Sequence, residues 1–307
     1  MSLPDPFADL PVVGKLNQDD AAARLAEVGE ADGGSQDPAL PVPFGSLDFL
    51  PWRRKLWAGT THLFGYLPPA RSGSDLVPVV HPGTIAADTT LAGTRVRVTL
   101  ERLRVAQYPG GGPHTVLIDF AARNSAAGEP ADLHFSATYR VGEGSTAGVA
   151  GYPIFDGLPV GRSGLELRCY TVNVKSAPDE ALLGFLDGDA FRTGLRLVGA
   201  TQPALAPLSA MVMGLTRAMA GRSRNVPVQD FTLGLDFGGP ATGLRLAEGT
   251  YLAVQVTDED AAKWDWGRWA YDPGSGQIVG AGAEKQSLPY NYIGFGISRI
   301  LPDSHPG

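Results

Sequence analysis

The chain has 307 residues, of which 43% are hydrophobic, so it can bury a core of considerable size. Its single cysteine excludes an intrachain disulfide framework and any zinc site built from several cysteines. The net charge of −7 argues against a nucleic-acid binder that relies on phosphate contacts. With 40 glycines and 25 prolines, the sequence indicates many turns between short elements.

Residues 1–44 are predicted to form a flexible N-terminal extension. Asp19 and Asp20 are candidates to cap a short helix that would continue to Val28. The glycines and prolines between residues 29 and 43 predict a linker. The beginning of the chain lacks the basic and apolar segments of a secretory signal, so we expect a cytoplasmic location.

An aromatic and basic segment follows the predicted linker. Trp52 and Trp57 flank the cations Arg53, Arg54 and Lys55. Indole rings beside cations are suited to contact an anionic partner or a membrane surface. The alternative is that the aromatic rings pack on the main domain while the cations stay in solvent.

From residue 94 onwards, apolar and polar residues alternate in the manner of β-strands. Between residues 94 and 105 the alternation slips near Glu101 and Arg102, which predicts a β-bulge. Further strands are predicted at residues 115–122, 133–141, 165–174, 230–237, 250–256, 268–271, 277–280 and 290–300. Short strands separated by turns favour a mainly β fold, an antiparallel β-sandwich spanning residues 45–307.

Residues 176–224 interrupt the β pattern and are predicted to be a helical insertion. The first helix would begin at Ser176 and end at Gly188. The second would run from Pro207 to Gly221, with one apolar side formed by Leu208, Met211, Val212, Leu215 and Met219. Met211, Leu215 and Met219 are candidates for partner contact, because methionine suits an adaptable apolar surface; the alternative is that this helix packs on the sheet.

The uncharged run from residue 197 to 216 is long enough to span a bilayer as a helix. Pro203 and Pro207 interrupt it, so a packed helix is favoured over a membrane span. Trp264 and Trp266 form another candidate contact site, since they would share one face of an extended segment. Such a platform stacks on sugars or on the side chains of a partner, although the core or rim of a sandwich explains it equally well.

Signals for catalysis are few. The sequence has no phosphate-binding loop of the GxxxxGK[ST] type and no GxSxG motif. Cys169 alternates in phase with Leu165 and Leu167, so we expect a buried, inert thiol. The histidines are scattered without metal-binding spacing: His62, His81, His114, His134 and His305.

Acidic residues are the better lead for a metal. Asp187 and Asp189 follow the first helix of the insertion, and Asp258, Asp260 and Asp265 lie in a later acidic stretch. Loops at one end of a sandwich can gather such carboxylates around calcium, but the spacing does not match an EF-hand loop. No cofactor is therefore expected, with calcium as the one candidate and solvated turn residues as the favoured interpretation.

These observations favour a non-catalytic β-sandwich that acts through protein–protein contacts, with a protein partner or by self-assembly. A second hypothesis is a membrane-surface or membrane-inserting protein that uses residues 49–57 and 197–221. A third is a hydrolase whose residues converge only in three dimensions. Nucleic acid is not an expected partner, and a membrane is less favoured than a protein.

Overall fold

The computed structural model describes residues 5–27, 55–69, 75–124, 131–187, 194–197, 202–238, 243–283 and 285–300. The fold is mainly β. The described strands are β1 (Thr60–Leu67), β2 (Val77–Pro78), β3 (Arg95–Val105), β4 (Pro113–Asn124), β5 (Ala131–Gly142), β6 (Ser145–Thr146), β7 (Tyr152–Pro159), β8 (Leu165–Val174), β9 (Leu195–Arg196), β10 (Val226–Leu235), β11 (Gly249–Thr257), β12 (Trp269–Asp272), β13 (Gln277–Gly280) and β14 (Asn291–Arg299). The described α-helices are α1 (Gln18–Glu27), α2 (Ala177–Leu183), α3 (Gln202–Ala220) and α4 (Asp258–Ala261).

The strands form three sheets. A seven-stranded sheet has the order β1-β11-β14-β3-β7-β9, with β6 beside β3. A four-stranded sheet has the order β10-β8-β4-β5, and a three-stranded sheet has the order β13-β12-β2. Among the pairs of named strands in the described residues, only β7 and β9 run parallel. The predicted antiparallel β fold is therefore confirmed.

The main core lies between the seven-stranded and the four-stranded sheet. Phe120 of β4 and Phe231 of β10 both meet the ring of Phe295 on β14, with centroids 5.6 Å and 6.0 Å away. All three side chains are buried in one continuous hydrophobic cluster. Each of these rings removes a large apolar area from water, and this burial stabilises the sandwich.

The predicted β-bulge is present in β3. Leu100 pairs with Phe295 and Arg102 pairs with Gly294, so Glu101 is the extra residue. The extra residue keeps Leu103 in the core between the sheets, as the sequence pattern required. It also leaves Arg102 on the other face, where its guanidinium lies over the ring of Tyr271 at 4.2 Å.

The helical insertion is confirmed, and α3 packs on the four-stranded sheet, on the face opposite the core. A 3₁₀ turn, Gly184–Asp187, follows α2. The second helix differs from the prediction, because α3 begins at Gln202 and continues through Pro207. Proline so near the N-terminus removes only one intrahelical hydrogen bond, and packing of α3 on β5 offsets that loss.

The first described residues, 5–27, belong to the packed domain rather than standing apart from it. Val13 and Ala21 are fully buried, and Phe7 and Leu25 are nearly so. The predicted helix is present as α1, but Asn17 caps it: the amide of Asp20 donates to Asn17 Oδ1 at 2.9 Å. The linker predicted at 29–43 and the boundary near 44 lie outside the described residues.

Candidate functional site

The N-terminal segment, defined here as residues 5–16, crosses the outer face of the four-stranded sheet beside α3. Phe7 anchors it: the ring stacks on Tyr170 of β8 with centroids 4.2 Å apart and meets His134 of β5 edge-on at 6.4 Å. The guanidinium of Arg168 lies 5.9 Å from the same ring. Phe7 therefore fills an aromatic pocket that is lined by a cation.

Ion pairs fix the segment on both sides of this pocket. Arg168 binds Asp230 through two hydrogen bonds of 2.9 Å and also pairs with Asp5. Lys15 reaches the same Asp230 carboxylate at 2.5 Å. Arg168 and Asp230 are both nearly buried, so their charges depend on each other and on the two segment residues for compensation.

A third ion pair joins the segment to the helical insertion. Arg217 of α3 donates to the carboxylate of Asp9 and to the carbonyl of Pro6. The hydrogen bond from Arg217 is the main cause that lowers the pKa of Asp9. Both side chains are exposed, so this pair guides the position of the segment more than it stabilises the fold.

The end of the segment closes one open side of the sandwich. Strand β10 is an edge of the four-stranded sheet and β1 is an edge of the seven-stranded sheet. Gly14 lies so close to Val228 of β10 that a Cβ atom would overlap its carbonyl oxygen. On the other side, Thr60 Oγ1 of β1 donates to the Gly14 carbonyl at 2.8 Å. The segment thus contacts both edge strands on this side of the sandwich.

A buried polar network lies under α3. Asp119 Oδ1 is 2.8 Å from His134 Nδ1, and Asp119 Oδ2 accepts from Ser136 at 3.0 Å and from Thr216 of α3 at 3.3 Å. Ser209 of α3 accepts from the backbone amide of His134 at 2.7 Å. The network therefore ties the helix to β4 and β5.

This network contains serine, histidine and aspartate, but it does not have the arrangement of a catalytic triad. In a triad the serine hydrogen-bonds to the histidine, which in turn hydrogen-bonds to the aspartate. Here Ser136 and His134 both bind Asp119, and among the described residues no hydrogen bond joins Ser136 to His134. Ser136 is also fully buried. The geometry is that of a structural clamp for α3.

An aromatic cluster lies on the opposite side of the molecule, where the three-stranded sheet packs on the seven-stranded one. Trp264 is its centre: it meets Trp266 edge-on at 5.2 Å, stacks on Trp269 at 6.0 Å and meets Tyr290 at 5.4 Å. Trp264 and Trp266 contact each other, but the segment predicted to be extended forms a turn and a 3₁₀ element. All four rings are partly buried.

An open cleft of about 400 Å³ adjoins this cluster, and we call it the aromatic cleft. Its lining consists of Gly267, Arg268, Trp269, Gly280, Ala281, Gly282, Lys285 and Gln286. Arg268 and Lys285 are exposed cations, while Trp269 presents an aromatic ring. Lys285 has a φ of +42°, which is uncommon for a residue other than glycine.

The structure corrects the contact prediction for Trp57 and Met219. Tertiary packing buries both side chains, with 1% of Trp57 and none of Met219 exposed, so neither faces a partner in this fold. Leu215 packs partly against the core, whereas Met211 is 49% exposed. The other predicted contact residues of the first group, Trp52, Arg53 and Arg54, lie outside the described residues.

Two of the acidic residues considered for calcium, Asp260 and Asp265, have local structural partners. The backbone amide of Asp260 donates to Thr257, the Asp260 carboxylate accepts from Tyr290 at 2.9 Å, and Asp265 accepts from the amide of Gly267 at 2.8 Å. Asp258 is exposed in the first turn of α4. In the described part of the chain, no three His, Cys, Asp or Glu side chains are grouped to hold a metal ion. Asp189 and the side chain of Asp187 are not described.

Cys169 lies on the core face of β8 with 1% of its surface exposed. Burial, and then the charges of Asp119 and Asp230, raise the pKa of the thiol well above its usual value. A thiol is nucleophilic as the thiolate, so this residue is suited to packing and not to catalysis.

Several residues of both sites carry no signal in the sequence. Phe7, Arg168 and Asp230 come from distant parts of the chain, and Lys15 and Asp230 are 215 positions apart. The sequence shows that Trp269 belongs to a tryptophan-rich stretch. Nothing in the sequence distinguishes Arg268 and Lys285 from other surface cations. Only the fold brings each set together.

Comparisons with known proteins gave no match: a scan against protein-family models, a search of curated proteins and a search of solved structures each found none. Among the helices of the described residues, none combines the length and apolar character needed to cross a membrane.

Proposed function

We propose that this protein is a non-catalytic β-sandwich that acts through protein–protein contacts, and that its partner is a second copy of the same chain. The contact element is the N-terminal segment. It would bind the outer face of the four-stranded sheet of a neighbouring copy, which we call the groove, with Phe7 in that copy's aromatic pocket. The observation that carries this proposal is the way in which Phe7 sits in a pocket of Tyr170, His134 and Arg168. The ring makes the same contacts in the pocket whether it comes from the same chain or from another.

The segment is bound mainly through side chains. Its backbone hydrogen bonds are largely local, as in the bonds from Leu10 to Phe7 and from Lys15 to Val12. Contacts with the domain come mainly from the three ion pairs, the Phe7 ring and the buried Val13, together with hydrogen bonds that the Gly14 and Leu16 carbonyls accept from Thr60 and Gly59. Exchange between copies therefore replaces each contact with an identical one and leaves the sheet ladders intact.

The length of the chain supports exchange. Residues 28–54 connect α1 to Lys55, so α1 would exchange together with the segment, and a chain of that length can span at most about 90 Å. The balance between a segment docked on its own domain and one docked on a neighbour then depends on protein concentration. We expect closed monomers when dilute and exchanged oligomers when concentrated.

The catalytic and membrane alternatives have less support. Ser136 and His134 both hydrogen-bond to Asp119, which is not the arrangement of a catalytic triad. The thiol of Cys169 is buried. The exposed large hydrophobic residues in the described chain, Leu182 and Met211, lie on separate helices, α2 and α3. A membrane-binding surface would gather such side chains in one place.

Chemical crosslinking between two variants tests the exchange. Asp9→Cys is made in one sample of the full chain and Arg217→Cys in another, because these exposed side chains pair directly. The native Cys169 is buried and does not compete. After the two samples are mixed at high concentration, a short bismaleimide should join them into a covalent dimer that contains both variants.

Two controls make this test specific. Replacing Arg217→Cys by Met211→Cys places an exposed thiol on the same helix at a position that does not pair with Asp9, and this mixture should give no covalent dimer. Adding Phe7→Ala to the Asp9→Cys variant should lower the dimer yield, because the anchoring ring is lost. If the first mixture gives only monomers after long incubation, the segment stays on its own domain and the proposal is wrong.

A further inference from the structure

The aromatic cleft has a rigid aromatic floor. Trp269 stacks on Trp264 at an interplanar angle of 24°, and Trp264 is in turn held edge-on by Trp266 and Tyr290. Strand β12, which carries Trp269, pairs with both β13 and β2. The indole is thus positioned before any ligand arrives, which reduces the entropy lost on binding.

Small residues form one part of the described lining of the cleft: Gly280, Ala281 and Gly282. A Cβ atom at Gly282 would meet open space. The backbone here is fixed by hydrogen bonds from Ala281 to the Arg268 carbonyl at 2.9 Å and from Gly280 to the Gln286 carbonyl at 2.8 Å. Trp269 pairs directly with Gly280 in the sheet, so the indole lies beside backbone that carries no side chains. We call this part of the cleft the slot, and it leaves room for a ring.

Two cations lie at this slot in a chain with a net charge of −7. Arg268 and Lys285 both line the cleft, and both are exposed. Lys285 lies 4.0 Å from Asp272, a distance at the limit for an ion pair, so much of its charge remains to attract an anion. Gln286 adds an amide group to the lining.

We propose that the aromatic cleft binds an acidic carbohydrate. A pyranose ring would pack its C–H face on Trp269, and its carboxylate would pair with Arg268 and Lys285. This site is separate from the groove of the N-terminal segment, so the proposal does not depend on self-assembly.

A sugar fits the cleft better than an acidic peptide does. An extended peptide binds by adding a strand to an open sheet edge and by placing side chains in pockets. The free edge of β13 is already covered, because Leu288 donates to the Ile278 carbonyl at 2.8 Å and Gly280 donates to Gln286. Among the described residues, the lining of the cleft offers an indole and two cations, which match a charged ring.

Calorimetric titration of the full chain with three probes tests the proposal. The probes are a trimer of galacturonic acid, neutral maltotriose and a short peptide of glutamate residues. We expect the galacturonate trimer to bind, with an affinity that falls as salt concentration rises. The neutral sugar should bind more weakly, and the peptide should show no binding that depends on Trp269.

Variants of the cleft assign the binding to its residues. Gly282→Phe should abolish binding by filling the slot, since its new side chain enters open space without disturbing the fold. Gly148→Phe is the matched control, because a Cβ there also meets open space but the residue lies outside the cleft. Arg268→Gln should weaken binding of the acidic trimer by roughly tenfold and leave maltotriose unchanged.

The contrary results are equally specific. The proposal is overturned if the trimer does not bind, if Gly282→Phe and Gly148→Phe behave alike, or if the glutamate peptide binds through the cleft and the sugar does not. The last result would identify an acidic protein segment as the ligand.

Discussion

His114 shows how one buried side chain makes stability depend on pH. Only 1% of its surface is exposed, and Nδ1 accepts a hydrogen bond from Asn173 Nδ2 at 3.2 Å. Asn173 Nδ2 also donates to the Pro109 carbonyl, which fixes the orientation of the amide. Burial, followed by the charge of Lys175, lowers the pKa of His114 to about 4.

This lowered pKa predicts a loss of stability in mild acid. The unfolded chain takes up a proton on His114 near its ordinary pKa, whereas the folded protein does so only near pH 4. The free energy of unfolding therefore falls as pH decreases from about 6.5 to 4, by about 2–3 kcal/mol between pH 7 and pH 4.5 for this residue. Urea unfolding of wild type and His114→Gln at both pH values measures it, and an equal pH dependence in the two proteins would contradict it.

Cys169 gives a second prediction at this scale. Because the thiol is buried and its pKa is raised, we expect it to react with a thiol reagent only as fast as the protein unfolds. Cys169→Ser should leave any measured binding unchanged. Labelling of the native protein within seconds, measured by mass spectrometry, would show instead that the thiol is accessible.

At the scale of elements, α3 offers a direct comparison between its two sides. Met219 is fully buried and Met211 is 49% exposed on the same helix. Met219→Ala should lower the free energy of unfolding by about 2–5 kcal/mol, through lost burial and the cavity that remains. Met211→Ala should change it by less than about 0.5 kcal/mol. Denaturant unfolding of both variants tests whether Met219 lies on the packed side of α3 and Met211 on the exposed side.

Strands with one face in the core could be predicted from the sequence. The limits of β8 and β13 agree with the predicted ones. The extra residue in β3 also appears in the sequence, as a slip in the alternation of apolar and polar residues. Strands β1 and β7 were not predicted. β7 contains Pro153 and Gly157, which oppose strand formation locally, and its pairing with β3 overrides that preference.

The helical insertion was predictable as helix, but its contacts were not. The pattern along α3 indicated an apolar side, and packing against the sheet determined which methionine is buried. The sequence does not distinguish Asn17 as the cap of α1, because the nearby residues Asp19 and Asp20 are equally suited to cap a helix. The candidate sites depend on pairs far apart in sequence, such as Asp5 with Arg168, for which no local pattern exists.

At the scale of the whole molecule, the N-terminal segment acts as a closure between the two sheets. Gly14→Ala would place a methyl group against the Val228 carbonyl and 2.7 Å from the Gln255 amide nitrogen. We expect a loss of about 1–3 kcal/mol in stability and faster proteolysis within residues 5–16, because the segment must move away from β10. Gly148→Ala, where a Cβ meets nothing within 4 Å, should behave like wild type in both measurements.

The bulge in β3 also determines where this strand can lose a residue without disrupting the core. Deleting Glu101 would remove the unpaired residue, so that Leu103 stays in the core and Arg104 keeps its hydrogen bond to the Leu288 carbonyl. Deleting Leu103 instead would turn Arg104 towards the core and bury its charge. A single-codon deletion is therefore tolerable at position 101 and disruptive two codons later, although both lie in the same strand.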